Sequence, residues 1–276
     1  MKKESHKEAG VRAEKVREIL KKCTLCPRLC KVDRIKGEKG YCGLDDKVRC
    51  FREMLHPFEE NILNPSHQIY FAGCNLKCEF CTVAEWNNQP SAACEIVLRQ
   101  MAMKIEQRKM QGAKTLNLLG GEPTISMHGV FELLGNISPD TCVLLNSNMY
   151  FAGELLRLLD GFVDIYLADF KCGNDGCAGK ILGTENYVKV VSSNILTAAR
   201  QADIIVRHLV LPGHFECCAK PIINWIASEI PNVKLSLRRD YVPPAEAIYA
   251  PKAYLDKPEY ERTVDYARNL HLNLIQ

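Results

Sequence analysis

Cys74, Cys78 and Cys81, in C-x3-C-x2-C spacing, are the residues of this chain best placed to do chemistry together. They follow a short apolar run, Ile69-Tyr70-Phe71, that reads as a strand, so they sit on the loop leaving its C-terminal end. A loop this short aims three thiolates at one object the size of an iron–sulfur cube. A cubane has four irons and usually takes four cysteines, so three ligands leave one iron open. An open iron can bind a substrate or cofactor, as the open position of a catalytic zinc does. The competing readings are a zinc knuckle, which favours paired C-x2-C, and three ordinary core cysteines.

A second set, Cys23, Cys26, Cys30 and Cys42, has the spacing C-x2-C-x3-C-x11-C. Pro27 stiffens the loop between its second and third members, and Gly37, Gly40 and Gly43 allow the turns that bring Cys42 back. Four thiolates close a structural zinc site or hold an auxiliary iron–sulfur cluster, and neither offers a position for substrate. The alternative is four free surface thiols, and Cys50 is a spare or replaces one of the four. Cys172 and Cys177 bracket Gly173-Asn174-Asp175-Gly176 and read as bystanders, metal ligation or hydrogen-atom donation being the other options. Cys217 and Cys218 are adjacent, and adjacent cysteines rarely ligate one metal together. Cys94 and Cys142 read as core residues. With 14 cysteines in short-spaced groups, metal ligation fits better than a disulfide framework.

These residues need elements to position them. From Ile69 onward, short apolar runs alternate with helical patterns. Strands are expected at 69–73, 115–119, 141–146, 163–170, 203–211 and 233–238, and helices at 94–111, 129–135, 152–159, 186–201, 215–229 and 259–269. A polar segment from Glu4 to Lys22 reads as an amphipathic helix. Six strands each followed by a helix argue for an α/β fold with a parallel sheet, whose chemistry belongs at the C-terminal ends of the strands. The expected division is an N-terminal helix and cysteine-rich appendage at 1–65 and an α/β domain at 66–276.

Four polar motifs fall at those strand ends. Gly120-Gly121-Glu122-Pro123-Thr124 lets backbone approach a ligand closely and offers a carboxylate to an ammonium group, or is simply a turn with a solvated Glu. Asn146-Ser147-Asn148 ends the third strand and Asp169-Phe170-Lys171 the fourth, where the plain alternatives are a turn and a local ion pair. On the fifth strand, alternation puts Arg207 and His208 on opposite faces.

Cys74-x3-Cys78-x2-Cys81, with aromatic Phe80 before the last cysteine, resembles the signature of the radical S-adenosylmethionine (SAM) superfamily, and Gly120-Gly121-Glu122 resembles its Gly-Gly-Glu motif. The Asp169-x-Lys171 pair, the Arg207-to-Gly213 run and the N-terminal cysteines are similar to the branch around pyruvate formate-lyase activating enzyme. The resemblance implies a partial (β/α)6 barrel. It implies a [4Fe–4S] cluster on Cys74, Cys78 and Cys81 whose open iron chelates SAM, and reductive cleavage to a 5′-deoxyadenosyl radical that abstracts a hydrogen atom. It implies SAM contacts from Phe80, Gly120, Gly121, Glu122, Ser147, Asn148, Asp169, Lys171 and His208. Asn146 stands where that branch has an Asp at a cation site, and Met149 stands where it has a Gly. Implied partners are an electron donor such as flavodoxin or ferredoxin and a glycyl radical enzyme as substrate. Other radical reactions on a peptide, nucleotide or small metabolite are the alternative. A non-catalytic iron–sulfur or zinc protein that binds a partner would explain the cysteines but not the Gly-Gly-Glu loop.

The 276 residues, 47% hydrophobic and 25% charged, are in the ordinary globular range. A net charge of +3 gives no indication of nucleic acid or membrane as partner. No apolar run reaches membrane-helix length, and Met1 to Lys22 has no apolar signal core. The expectation is a soluble cytoplasmic protein of a reducing, oxygen-poor setting.

Overall fold

The computed structural model describes residues 6–57 and 60–275. The chain forms two compact units, one of Met1–Asn75, Val83–Ser147 and Phe151–Tyr166, the other of Leu76–Thr82, Asn148–Tyr150 and Leu167–Gln276.

In chain order the first unit has helix α1 (His6–Leu20), strands β1 (Arg49–His56) and β2 (Ser66–Phe71), helix α2 (Ala84–Asn88), strand β3 (Cys94–Glu95) and helix α3 (Leu98–Met110). It continues with strand β4 (Thr115–Gly120), helix α4 (Met127–Leu134), strand β5 (Val143–Ser147) and helix α5 (Gly153–Leu159). Strand β6 (Ile165–Asp169) runs from this unit into the second. There follow α6 (Asp175–Cys177), α7 (Tyr187–Gln201), β7 (Asp203–Leu209), α8 (Lys220–Glu229), β8 (Lys234–Arg238), α9 (Lys257–Asn269) and β9 (Asn273–Ile275).

The first unit orders its strands β3-β1-β2-β4-β5. Pairs β2–β4 and β4–β5 are parallel, and β1 is antiparallel to both neighbours. Phe71 lies opposite Gly120, so β2 and β4 end level and their loops start side by side. In the second unit β7, β8 and β9 are parallel. The α/β class with mostly parallel strands and a cysteine-rich N-terminal segment is therefore the observed one. The six expected strands appear as β2, β4, β5, β6, β7 and β8.

Strand β1 has no clear signal in the sequence pattern. Arg49, Arg52 and Glu53 interrupt its apolar pattern, and pairing with β2 rather than periodicity makes it a strand. The expected 94–111 helix starts only at Leu98, because Cys94 and Glu95 pair with Cys50 and Arg49 as a short edge strand. Cys94 is consequently exposed and Cys142 half-buried, so neither is the core residue expected. The Glu4–Lys22 helix is seen from His6 to Leu20, and Glu4 lies outside the described residues. Ala9, Ala13, Val16 and Leu20 form its buried stripe, and it packs on α4 with Arg17 paired to Glu132. Among the described residues no helix is long and apolar enough to cross a membrane.

Candidate active site and metal centres

In the first unit the loop after β2 and the loop after β4 are stitched together by backbone. Gly121 N donates to Phe71 O at 2.7 Å, and Glu122 N donates to Gly73 O at 2.9 Å. The approach is so close that a Cβ on Gly121 would overlap Gly73 O and Asn87 Oδ1. Gly120 takes φ +120°, and any Cβ there would run into the Phe71 backbone. Both glycines of the motif are thus required by contact with the start of the cysteine loop, where Cys74 is buried.

Glu122 is fully buried. Its Oε1 accepts from Thr124 N at 3.2 Å, Thr124 Oγ1 at 2.7 Å and Ser147 Oγ at 2.8 Å. Ser147, an expected SAM contact, also donates to this carboxylate and orients it. Thr124 shares that task, and its place at the turn after Pro123 was its only signal in the sequence. Arg28 joins the cysteine-rich segment to the same loop. Its guanidinium stacks 3.8 Å from the Tyr41 ring centre, and its Nε donates to Asn75 O at 2.9 Å.

The second unit carries the rest of the cysteine loop. Lys77 N and Glu79 N donate to Leu182 O and Ile181 O at 3.0 and 2.9 Å. Glu79 Oε2 accepts from the amides of Ile248, Tyr249 and Ala250 at 3.2, 2.8 and 2.7 Å. Phe80 packs edge-on against Tyr241. Cys78 and Cys81 are half-buried. Desolvation pushes the Cys78 thiol up to about 12, with Lys171 pulling the other way.

At the end of β6, Asp169 bridges two cations. Its Oδ2 accepts from Lys171 Nζ and its Oδ1 from Arg207 Nε, each at 2.6 Å. Burial raises the Asp169 carboxyl, but Arg207 and then Lys171 outweigh it and hold the group well below the usual carboxylate range. Burial lowers the Lys171 ammonium, and Asp169 together with Cys78 more than reverses this. Arg207 therefore belongs with the pair that the strand-four motif predicts. His208, on the opposite face of β7, is buried, and its ring is lowered to about 4 chiefly by desolvation. Its Nδ1 lies 2.8 Å from Phe170 O, so Nδ1 is the protonated nitrogen. Nε2 is then an unprotonated acceptor, buried without a hydrogen-bond partner among the described residues. Asn148 Oδ1 accepts from Tyr150 N at 2.8 Å, and Met149 takes the left-handed φ of +56° that a glycine would favour.

Cys23, Cys26, Cys30 and Cys42 lie near enough for their charges to act on one another. Cys26 is pushed up to about 12, first by burial and further by Cys42, Cys23 and Cys30. Cys177, read as a bystander, lies beside Cys217 and Cys218, the adjacent pair. With His214 they form the one group of three or more such donors, among the described residues, whose ligand atoms lie within 4.8 Å of one another.

A profile of the radical SAM superfamily matches residues 69–226, more than half of the chain. The protein belongs to the radical SAM superfamily. It is 33% identical over 275 residues to the uncharacterized protein MJ0674 of Methanocaldococcus jannaschii, covering 96% of this chain and 80% of that one. It is 26% identical over 145 residues to the 7-carboxy-7-deazaguanine synthase of Clostridium acetobutylicum, covering 50% of this chain and 64% of that one. The fold is similar to that of Streptococcus suis SuiB, with TM-score 0.56 and 15% identity over 75% of this chain and 46% of SuiB. It is also similar to that of HydG, a maturase of the [FeFe]-hydrogenase, with TM-score 0.55 and 11% identity over 98% of this chain and 63% of HydG. Radical SAM enzymes use a [4Fe–4S] cluster and SAM, and both are cofactors of this protein.

Proposed function

We propose that Cys74, Cys78 and Cys81 hold the [4Fe–4S] cluster and that this chain uses it to abstract a hydrogen atom from its substrate. Three thiols on one continuous loop suit a cluster that keeps one iron open, and the buried, unpartnered His208 Nε2 suits a hydroxyl donor of a bound nucleoside. When bound, the cluster supplies the electron that cleaves SAM to methionine and a 5′-deoxyadenosyl radical. The chain's own residues bind and orient. Gly120 and Gly121 clear room for backbone approach, Glu122 offers a carboxylate fixed by Thr124 and Ser147, and Lys171 supplies a cation held by Asp169. Asn148 and Phe80 complete the proposed SAM contacts.

The observation that carries this reading is the Gly73–Glu122 backbone bond, which ties the cysteine loop to the Gly-Gly-Glu loop. The test is anaerobic reconstitution with dithionite and SAM. Wild type should release 5′-deoxyadenosine, and a Cys74→Ala, Cys78→Ala, Cys81→Ala triple variant should release none. Release at the wild-type rate by the triple variant would end the reading.

The proposed substrate is a backbone glycine of a glycyl radical enzyme. What supports it is the resemblance of Asp169-x-Lys171 and Arg207-to-Gly213 to the activating-enzyme branch. Deuterium from a Cα-labelled glycine of such a partner should appear in 5′-deoxyadenosine, and its appearance only from a small metabolite would replace this substrate. The N-terminal segment, residues 1–65, is proposed as an appendage whose Cys23, Cys26, Cys30 and Cys42 hold an auxiliary iron–sulfur cluster. Burial, and then the other thiols of the set, raise Cys26 and Cys42, but the four are not drawn as close as a single ion would require. The triple variant should accordingly retain iron and sulfide.

A further inference from the structure

We infer that Cys177, His214, Cys217 and Cys218 form a zinc site of three sulfurs and one nitrogen, separate from both proposed iron–sulfur sites. Cys177 ends α6, while His214, Cys217 and Cys218 lie on the loop and π-helical turn before α8. His214 Nδ1 is 3.3 Å from Cys217 Sγ, 3.7 Å from Cys218 Sγ and 3.8 Å from Cys177 Sγ. Tetrahedral zinc, with Zn–S about 2.3 Å and Zn–N about 2.0–2.1 Å, sets nitrogen and sulfur about 3.6 Å apart. The three measured separations bracket that edge. A cubane cluster does not fit, because its ligands sit on different irons and point outward, which holds them wider apart than the donors of one ion.

The surroundings are built for thiolates. Asn174 Nδ2 donates to Cys177 Sγ at 3.2 Å and to Cys217 O at 2.7 Å, and lies 4.0 Å from Cys218 Sγ. Asn174 Oδ1 in turn accepts from Cys177 N at 2.8 Å. One amide thus fixes both arms of the site, as outer partners of metal ligands commonly do. Gly173 allows the arms to meet, since a Cβ there would stand 2.8 Å from Cys218 Cα.

Adjacent cysteines are awkward ligands in an ordinary helix because successive side chains diverge. Phe215–Ala219 is instead a π turn, with Ala219 N donating to His214 O at 3.1 Å. A π turn has more residues per revolution, so consecutive side chains diverge less, and such turns recur at functional sites. Four protein ligands leave no open position, which makes the zinc structural. It would clamp the loop after β6 to the loop after β7, and so fix the strand ends that carry Lys171 and His208. Cys172, which lies against Cys218, is a neighbour and not a ligand in this assignment.

The test is metal analysis of the full chain with its clusters reconstituted. Cys177→Ser and Cys217→Ser should each lose one zinc per chain relative to wild type, while His214→Cys and Cys172→Ser keep it. Should the serine variants fail to fold, alkylation of wild type read by mass spectrometry stands in. Cys177 and Cys217 should be protected until a chelator removes the zinc. Wild-type zinc content in both serine variants, loss of iron and sulfide instead of zinc, or a disulfide among these cysteines in anaerobically isolated protein would each overturn the site. None of these readouts depends on SAM cleavage.

Discussion

Replacing Asp169 with Asn keeps the side chain's size and removes the negative charge shared by Lys171 and Arg207. Both cations contact the carboxylate at 2.6 Å, and the side chains of Asp169, Arg207 and Lys171 are 16%, 18% and 20% exposed. Removing one partner of a buried ion pair costs about 3–5 kcal/mol, because the charge left behind stays desolvated. The residual exposure places the expectation at the lower end, about 3 kcal/mol, or a roughly 150-fold fall in the folded-to-unfolded ratio. The carboxyl is held below its ordinary value by Arg207 and Lys171 against the opposing effect of burial. A depressed carboxylate contributes stability that is fully present above its unfolded pKa, near ~4, and is lost as pH falls toward the folded value. The gap between wild type and variant should therefore be widest at neutral pH and should shrink below about pH 4. Urea unfolding read by Trp225 is the assay, because Trp225 packs edge-on against Phe170, next to Asp169 in the chain. The chain has 2 tryptophans, so a Trp86→Phe background makes Trp225 the sole reporter. A gap under about 0.5 kcal/mol at neutral pH, or one that stays constant down to about pH 3, would refute the reasoning.

Gly121→Ala should lose about 2 kcal/mol of stability and abolish SAM binding by calorimetry, since its Cβ would displace Gly73 O or Asn87 Oδ1. Unchanged SAM affinity would show that this loop faces elsewhere. His208→Phe removes the Nε2 acceptor and should weaken SAM binding about three- to tenfold. Because burial holds the ring at about 4, wild-type SAM affinity should show no titration attributable to His208 between about pH 6 and 8. An inflection near pH 6.5 that disappears in His208→Phe would contradict a neutral, buried imidazole. Arg34 is fully buried and donates to Asp45 O at 2.9 and 2.7 Å and to Ile125 O at 2.8 Å, so Arg34→Met should cost about 3 kcal/mol. A thermal midpoint equal to that of wild type would show those carbonyls re-paired with water.

The parallel strands are legible because apolar runs such as Ile204-Ile205-Val206 must be buried, and the polar motifs follow them directly in the chain. Which partner each motif residue meets is less legible. Ser147 bonds Glu122 across 25 positions, and Arg207 bonds Asp169 across 38, contacts that depend on strand order and not on local pattern. The Cys177–His214 approach spans 37 positions and is hidden twice over. The spacing Cys177 to Cys217-Cys218 matches no compact chelating loop, so nothing local suggests that the groups meet. The rule against adjacent cysteines assumes α-helical divergence of neighbouring side chains, which a backbone widened into a π turn reduces. Asn174 was the residue in the sequence that could have shown the link. An Asn between two glycine-flanked cysteines reads as a turn former, yet its amide has two N–H groups and one oxygen, enough to hold its own loop and reach a second. A short polar residue beside a cysteine can thus be read as a thiolate's hydrogen-bond donor. Where it also donates to the backbone of a distant cysteine, as Asn174 does to Cys217 O, the two cysteines it joins are candidates for one ion.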